Sequence, residues 1–147
     1  MLVSLKKPLK AWEQTLHSGI STPDELASIF GIDINEVRQV VNAYPMFINP
    51  YYLGLIKEKG DPIYRQAVPD IAETKQDTGS PDPLNEENLS PVPGLTHKYP
   101  DRVLLLVSGR CAMYCRFCNR KRKVGGPGMV TQESIREGIG YIRANKG

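Results

Sequence analysis

Five apolar residues in a row, Val103-Leu104-Leu105-Leu106-Val107, bounded by Arg102 and Ser108, are the feature that most limits the folds open to this chain. The run is far too short to cross a membrane. It shows no polar–apolar alternation, so it reads as a strand buried on both faces, the pattern of parallel α/β sheets. Such a strand needs a neighbour along each edge to satisfy its N–H and C=O groups. No internal repeat supplies one. The expectation is an α/β chain that looks like the front of a longer protein, mostly helix and loop with little strand.

A cysteine loop follows the run directly, at the end of the strand where open α/β sheets and barrels place their sites. The three cysteines of the chain all fall within Cys111-Ala112-Met113-Tyr114-Cys115-Arg116-Phe117-Cys118, spaced C-x3-C-x2-C with an aromatic residue before the last. Three thiolates on one short loop can hold three corners of a cubane iron–sulfur cluster. Clusters are usually held by four cysteines, so a set of three suggests that another group binds the fourth iron. A disulfide framework fits poorly with an odd count and with a start, Met1 to Lys7, that lacks the apolar core of a signal peptide. Zinc would want four ligands, often as two separated pairs, and the nearest further candidate is His97. Closely spaced reduced thiols fit the cytoplasm, where disulfides are rare.

Composition adds exclusions rather than assignments. The chain is 40% hydrophobic and 24% charged, ordinary for a soluble protein. A net charge of +3 does not by itself imply a polyanionic partner. Arg116, Arg120, Lys121, Arg122 and Lys123 form a basic cluster, but the run is short and no nucleic-acid-binding motif accompanies it. Lys121 and Lys123 read as solvated surface.

The chain divides into three stretches. Residues 1–60 read as a helical subdomain. Pro8 suits a first helical turn leading into Trp12 and Leu16, with Gly19 as its stop. Thr22, Pro23 and Glu25 form a capping box for a helix with Leu26, Ile29 and Phe30 on its apolar face, ended by Gly31. Asp33 and Glu36 repeat the signal ahead of Val37, Val40, Val41 and Tyr44, and Pro45 closes that helix. Asn49-Pro50 opens another, with Tyr52, Leu53, Leu55 and Ile56 as core and Gly60 as its stop. Plain packing accounts for these apolar residues.

Residues 61–101 hold seven of the twelve prolines and form a partly acidic connecting segment. A short helix is expected around Ile63–Ala67, and Pro91 to Pro100 is apolar enough to be ordered. The rest cannot sustain long helices or central strands. Residues 102–147 read as strand, cysteine loop and helix. Gly125, Gly126, Pro127 and Gly128 make a turn cluster, and Thr131 caps a helix whose Ile135, Ile139 and Ile142 line one face.

The cysteine spacing resembles the signature of the radical S-adenosylmethionine (SAM) enzymes. Further stretches resemble one of their families, the lysine 2,3-aminomutases. These are Pro50-Tyr51-Tyr52-Leu53, Asp61-Pro62-Ile63-Tyr64-Arg65-Gln66-Ala67 and the run from Ser90-Pro91-Val92-Pro93-Gly94-Leu95-Thr96-His97 to Leu104. The resemblance implies a partial (β/α) barrel preceded by helices, of which this chain carries the first strand–loop–helix unit. It implies an isomerase that moves an amino group between C2 and C3 of an amino acid, L-lysine to L-β-lysine, with glutamate as the alternative substrate. The cofactors implied are a 4Fe-4S cluster, SAM and pyridoxal 5′-phosphate (PLP), with a structural zinc in full-length relatives. Cys111, Cys115 and Cys118 would bind the cluster, which reduces SAM to yield a 5′-deoxyadenosyl radical. Phe117 would pack near the SAM adenine, although an aromatic so placed could equally be ordinary packing. Arg120 would pair with the substrate carboxylate, and Tyr99 and Arg102, with Lys98, would lie on the approach to PLP. The partners implied are an electron donor such as flavodoxin or ferredoxin and, at full length, copies of the same chain; no nucleic acid or membrane is expected. The SAM glycine segment, the PLP lysine and the zinc ligands of that family fall outside these residues. An alternative is therefore a truncated, inactive iron–sulfur-binding fragment.

Overall fold

The computed structural model describes residues 10–75, 79–126 and 130–146. Pro8, Pro127 and Gly128 lie outside the described residues. The order of elements is α1 (Ala11–His17), α2 (Pro23–Phe30), α3 (Ile34–Ala43), α4 (Pro50–Leu53), α5 (Pro62–Ala67), a 3₁₀ turn (Ile71–Thr74), β1 (Leu95–Tyr99), β2 (Arg102–Leu105) and α6 (Gln132–Ala144).

The helix starts follow from their caps. The Thr22 hydroxyl accepts the Glu25 N–H, Asp33 accepts from Asn35, Asn49 from Tyr52 and Asp61 from Tyr64. Each satisfies a donor that the first turn would otherwise leave orphaned. Gly31 ends α2 in the left-handed conformation at φ 59, which costs glycine nothing. The helix at Pro50 stops at Leu53, well short of Gly60; Leu55 sits in the turn beyond it and Ile56 in the irregular chain that follows.

Leu26, Val37, Met46, Ile48, Ala67, Val68 and Ile20 form the main core. Leu26, Val40 and Ile48 are wholly buried, each contributing on the order of 1.5–3 kcal/mol of transfer free energy. Ile20 and Ile48 exchange two backbone hydrogen bonds at 2.9 Å, which pins the segment after α1 to the one before α4. Ile29 stays half exposed, so α2 packs through Leu26 and Phe30 alone.

The apolar run departs from expectation in its pairing. β2 is not a parallel strand buried on both faces but the second arm of an antiparallel hairpin with β1. Leu95 faces Leu105, Thr96 faces Leu104 and Tyr99 faces Arg102, with an irregularity between Thr96 and Tyr99. Pro100 and Asp101 make the turn, where a missing N–H does no harm. Antiparallel pairing lets one face meet solvent, and Leu104 is accordingly exposed; Val107, past the end of the strand, is exposed as well.

α6 follows the cysteine loop and packs on β2, but through a face other than the isoleucine face. Ser134 and Gly138 are its buried residues, with Tyr141 on the same side, while Ile139 and Ile142 are exposed. The missing side chain at Gly138 lets the helix backbone settle onto Leu105; a Cβ there would collide with Leu105 Cδ1. Among the described residues, no helix is long and apolar enough to cross a membrane.

Candidate functional site

The cysteine loop is fastened to the helical half of the chain by hydrogen bonds. The Tyr114 N–H donates to Phe47 O at 3.2 Å and the Arg116 N–H to Gln66 O at 2.9 Å. Asn49, whose Oδ1 caps α4, turns its Nδ2 to Ala112 O at 3.0 Å. The Tyr114 ring lies tilted on Phe47, centroids 5.8 Å apart. At the neck of the loop the Gly125 N–H donates to Gly109 O at 2.8 Å. Gly125 has φ +75, and any Cβ on it would run into the Tyr114 ring.

Cys111, Cys115 and Cys118 are free thiols, the first exposed and the others half-buried. The Cys118 N–H donates to Cys115 O at 3.1 Å, and the Arg120 N–H points at Cys118 Sγ at 3.4 Å. Burial pushes the Cys115 thiol above its ordinary value; its own backbone hydrogen bond opposes this, and the neighbouring Cys118 and Cys111 add to the rise. Among the described residues, no three Cys, His, Asp or Glu side chains are gathered into a ready metal group. The thiols share a loop rather than a common centre. Three thiols within eight residues, with an N–H aimed at one sulfur, are the donor type that an iron–sulfur cluster takes. His97, the sequence candidate for a fourth zinc ligand, is on β1 with Nδ1 2.7 Å from the Tyr141 hydroxyl of α6.

The basic cluster is not a solvated surface. Arg116 is buried, at 7% exposure, and Glu73 receives its Nε at 3.0 Å and its Nη2 at 2.8 Å. Arg116 Nη1 donates to Pro45 O at 3.0 Å. Lys121 reaches the same Glu73 at 3.0 Å, with its ammonium 4.0 Å above the Tyr44 ring centroid. Arg120 donates to Glu86 from Nε at 2.9 Å and from Nη2, and Lys123 joins it at 3.3 Å. Arg122 pairs with Asp82 and Glu87. Thus Lys121 and Lys123, expected to be free in solvent, are each held by a carboxylate of the acidic connecting segment.

For Glu73 and Glu86 burial alone would raise the carboxyl pKa. The hydrogen bonds and charges of Arg116 and Lys121 in one case, and of Arg120 and Lys123 in the other, outweigh it and hold both below the ordinary range.

A cavity of about 360 Å³ opens beside Arg120, lined also by Thr96, Lys98, Tyr99, Arg102 and Glu86. Residues singled out from separate stretches of sequence therefore share one wall. Tyr99 is 54% exposed, with the Arg102 guanidinium 5.6 Å from its ring centroid, and Asp101 pairs with Arg102. Phe117 faces another way, 67% exposed, onto a second cavity of about 350 Å³ that also takes in Tyr44, Glu73, Cys118 and Lys121. The structure brings Tyr99, Arg102 and Arg120 together and leaves Phe117 apart from them.

Sequence reasoning missed Glu73, Glu86 and Asn49. The acidic character of the connecting segment was the available signal. Which carboxylate meets which cation, 34 to 48 residues away, is a tertiary fact.

No family profile matches the chain. The chain is 42% identical over 139 residues to the L-lysine 2,3-aminomutase of Clostridium subterminale, a match that covers 90% of this chain and 33% of that protein. It is 40% identical over 141 residues to the L-lysine 2,3-aminomutase of Bacillus subtilis, covering 90% and 30%. The glutamate 2,3-aminomutase of Clostridioides difficile is 34% identical over 137 residues, covering 89% and 32%. The chain spans about a third of the length of these curated relatives.

Proposed function

Since the chain belongs to the lysine 2,3-aminomutase family, we propose that it is the cluster-bearing part of an amino acid 2,3-aminomutase, built on the first unit of a radical SAM barrel, with L-lysine as substrate. The observation that carries this reading is the placement of Arg120. It stands two residues beyond the last cysteine of the loop and lines the same cavity as Lys98, Tyr99 and Arg102. Lysine is preferred to glutamate because the lysine enzymes match at 40–42% identity and the glutamate enzyme at 34%.

In this reading Cys111, Cys115 and Cys118 hold the 4Fe-4S cluster. When bound, cluster, SAM and PLP supply the radical chemistry that moves the amino group. The residues of the chain do the rest. Arg120 holds the substrate carboxylate with the Nη1 end of its guanidinium, the end that Glu86 does not take. Fixing the carboxylate at a set reach from the cysteine loop chooses which substrate hydrogen is presented. Tyr99, Arg102 and Lys98 give the cavity an aromatic and cationic wall suited to a phosphorylated cofactor. Phe117, exposed beside Cys118, offers a face for the adenine.

Anaerobic reconstitution with ferrous iron and sulfide tests the cluster. About three thiolate ligands per cubane are expected by spectroscopy, and Cys115→Ala should lose the cluster. Uptake of tetrahedral zinc with no iron would sink the reading.

A further inference from the structure

Among the carboxylates that meet the basic cluster, Glu73 stands out because no role so far assigned calls for it. It comes from the 3₁₀ turn that follows α5, far in sequence from the cysteines. Its side chain is 12% exposed, and the Arg116 side chain against it is 5% exposed. Arg116 is one of the two residues between Cys115 and Cys118. With Glu73 on two of its nitrogens, Pro45 O on the third and Gln66 O on its backbone N–H, each nitrogen of Arg116 bonds to chain that precedes the cysteine loop. The Cys115–Cys118 turn is thus gripped from within its own spacer, and Glu73 is the single charged group of that grip.

Glu73 also meets Lys121, three residues past Cys118. Two cations border the cysteine turn, and one largely covered carboxylate answers both. Charge near an iron–sulfur cluster sets which oxidation level is favoured, since a nearby cation stabilises the more negative reduced form. Removing the carboxylate leaves two cations unanswered beside the cysteines, one of them buried.

Resting on the cluster reading above, we propose that Glu73 is a positioning residue for the iron–sulfur cluster: it anchors the Cys115–Cys118 turn through Arg116, and as counter-charge to Arg116 and Lys121 it keeps the cluster potential low. The connecting segment then contributes to the redox site through one carboxylate.

The test uses the 147-residue chain, reconstituted anaerobically with ferrous iron and sulfide. Iron per chain and the midpoint potential of the bound cluster are read. Glu73→Gln, which keeps the shape and removes the charge, is expected to lower iron retention about threefold or more and to shift the potential of the remaining cluster upward. Glu73→Asp, which keeps the charge at a shorter reach, is expected to lose iron while holding the potential near that of the parent. A Glu73→Gln chain with parental iron and an unmoved potential overturns the proposal. Should that variant lose its helical circular dichroism, Lys121→Gln carries the test, because it leaves the Glu73–Arg116 pair intact and removes one cation. A downward shift in potential with iron unchanged supports the proposal, and an unmoved potential overturns its electrostatic half. A parent chain that takes up no iron overturns both this inference and the cluster reading. A parent and variants that load alike and share one potential remove only the role of Glu73.

Discussion

Glu86 meets Arg120 along the Nε–Nη2 edge of the guanidinium, and the two oxygens of one carboxylate serve both donors. The Glu86 side chain is 6% exposed and that of Arg120 34%. A planar fork held on one edge has its other edge aimed. The acid therefore fixes one edge of the arginine, which lines the cavity together with Lys98, Tyr99 and Arg102.

Arg120→Lys is the first prediction, and it is made for a complete aminomutase carrying this chain. Lysine keeps the charge and loses the fork, so it cannot satisfy Glu86 and a substrate carboxylate from two edges. Cluster and SAM binding should persist while turnover of the amino acid falls roughly tenfold or more, the scale of losing one to three kcal/mol of charged hydrogen bonding. Steady-state kinetics beside a control at an exposed cation elsewhere, Arg38→Ala, would check it. Unchanged turnover in Arg120→Lys removes the residue from the substrate site.

The second prediction concerns acid. Glu73 and Glu86 are both held below the ordinary carboxyl value in the folded chain. A carboxylate whose folded value is depressed contributes stability that is fully present above its unfolded value, about 4.3 for glutamate, and is lost as pH falls through the folded one. Stability should therefore be level with respect to these groups at neutral pH and fall below about pH 4.5. Glu86→Gln should cost about 1.5–3 kcal/mol at pH 7, the worth of hydrogen bonds to charged groups, and less at pH 3.5, below the unfolded value. Glu87→Gln, on a more exposed carboxylate, should cost under about 0.5 kcal/mol. Urea titrations at the two pH values decide it. A Glu86→Gln cost that is the same at both would mean that the pair is not an ion pair in solution.

The third prediction separates two glycines of one helix. Alanine in an exposed helix interior is worth up to about 1 kcal/mol over glycine. Around Gly140 a Cβ would meet nothing within 4 Å, whereas at Gly138 it would strike Leu105 Cδ1. Gly140→Ala should raise the urea midpoint, while Gly138→Ala should leave it at or below the parent value. Equal gains at both positions would show that α6 does not press on β2.

The contrast between α2 and α6 shows what was legible in the sequence. Caps are local, so Thr22, Asp33, Asn49 and Gly31 announced their helix ends correctly. The isoleucines of α6 pointed to the wrong face, because packing against β2 chose the stripe through Ser134 and Gly138, where the backbones can approach most closely. β1 escaped notice because Leu95-Thr96-His97-Lys98-Tyr99 carries no strand pattern of its own. It exists through its pairing with β2, and only the Pro100-Asp101 turn hinted at a hairpin. The cysteines and Arg120 were readable as neighbours along the chain. The carboxylates behind them were not, since partner choice across the connecting segment depends on the folded path.

The hydrogen bonds that seat the cysteine loop have a consequence in time. The bond from Asn49 to Ala112 closes 63 residues of chain and that from Arg116 to Pro45 closes 71, whereas α2 and α3 are adjacent in sequence and pack on each other. Loop-closure entropy must be met before such distant contacts repay it, so short-range pairs form early and long-range ones late. On refolding, helical order should arrive ahead of the seating of the loop. During that interval the three thiols are carried on an already collapsed chain with nothing yet holding them, and that is when oxidation or a wrong metal would catch them.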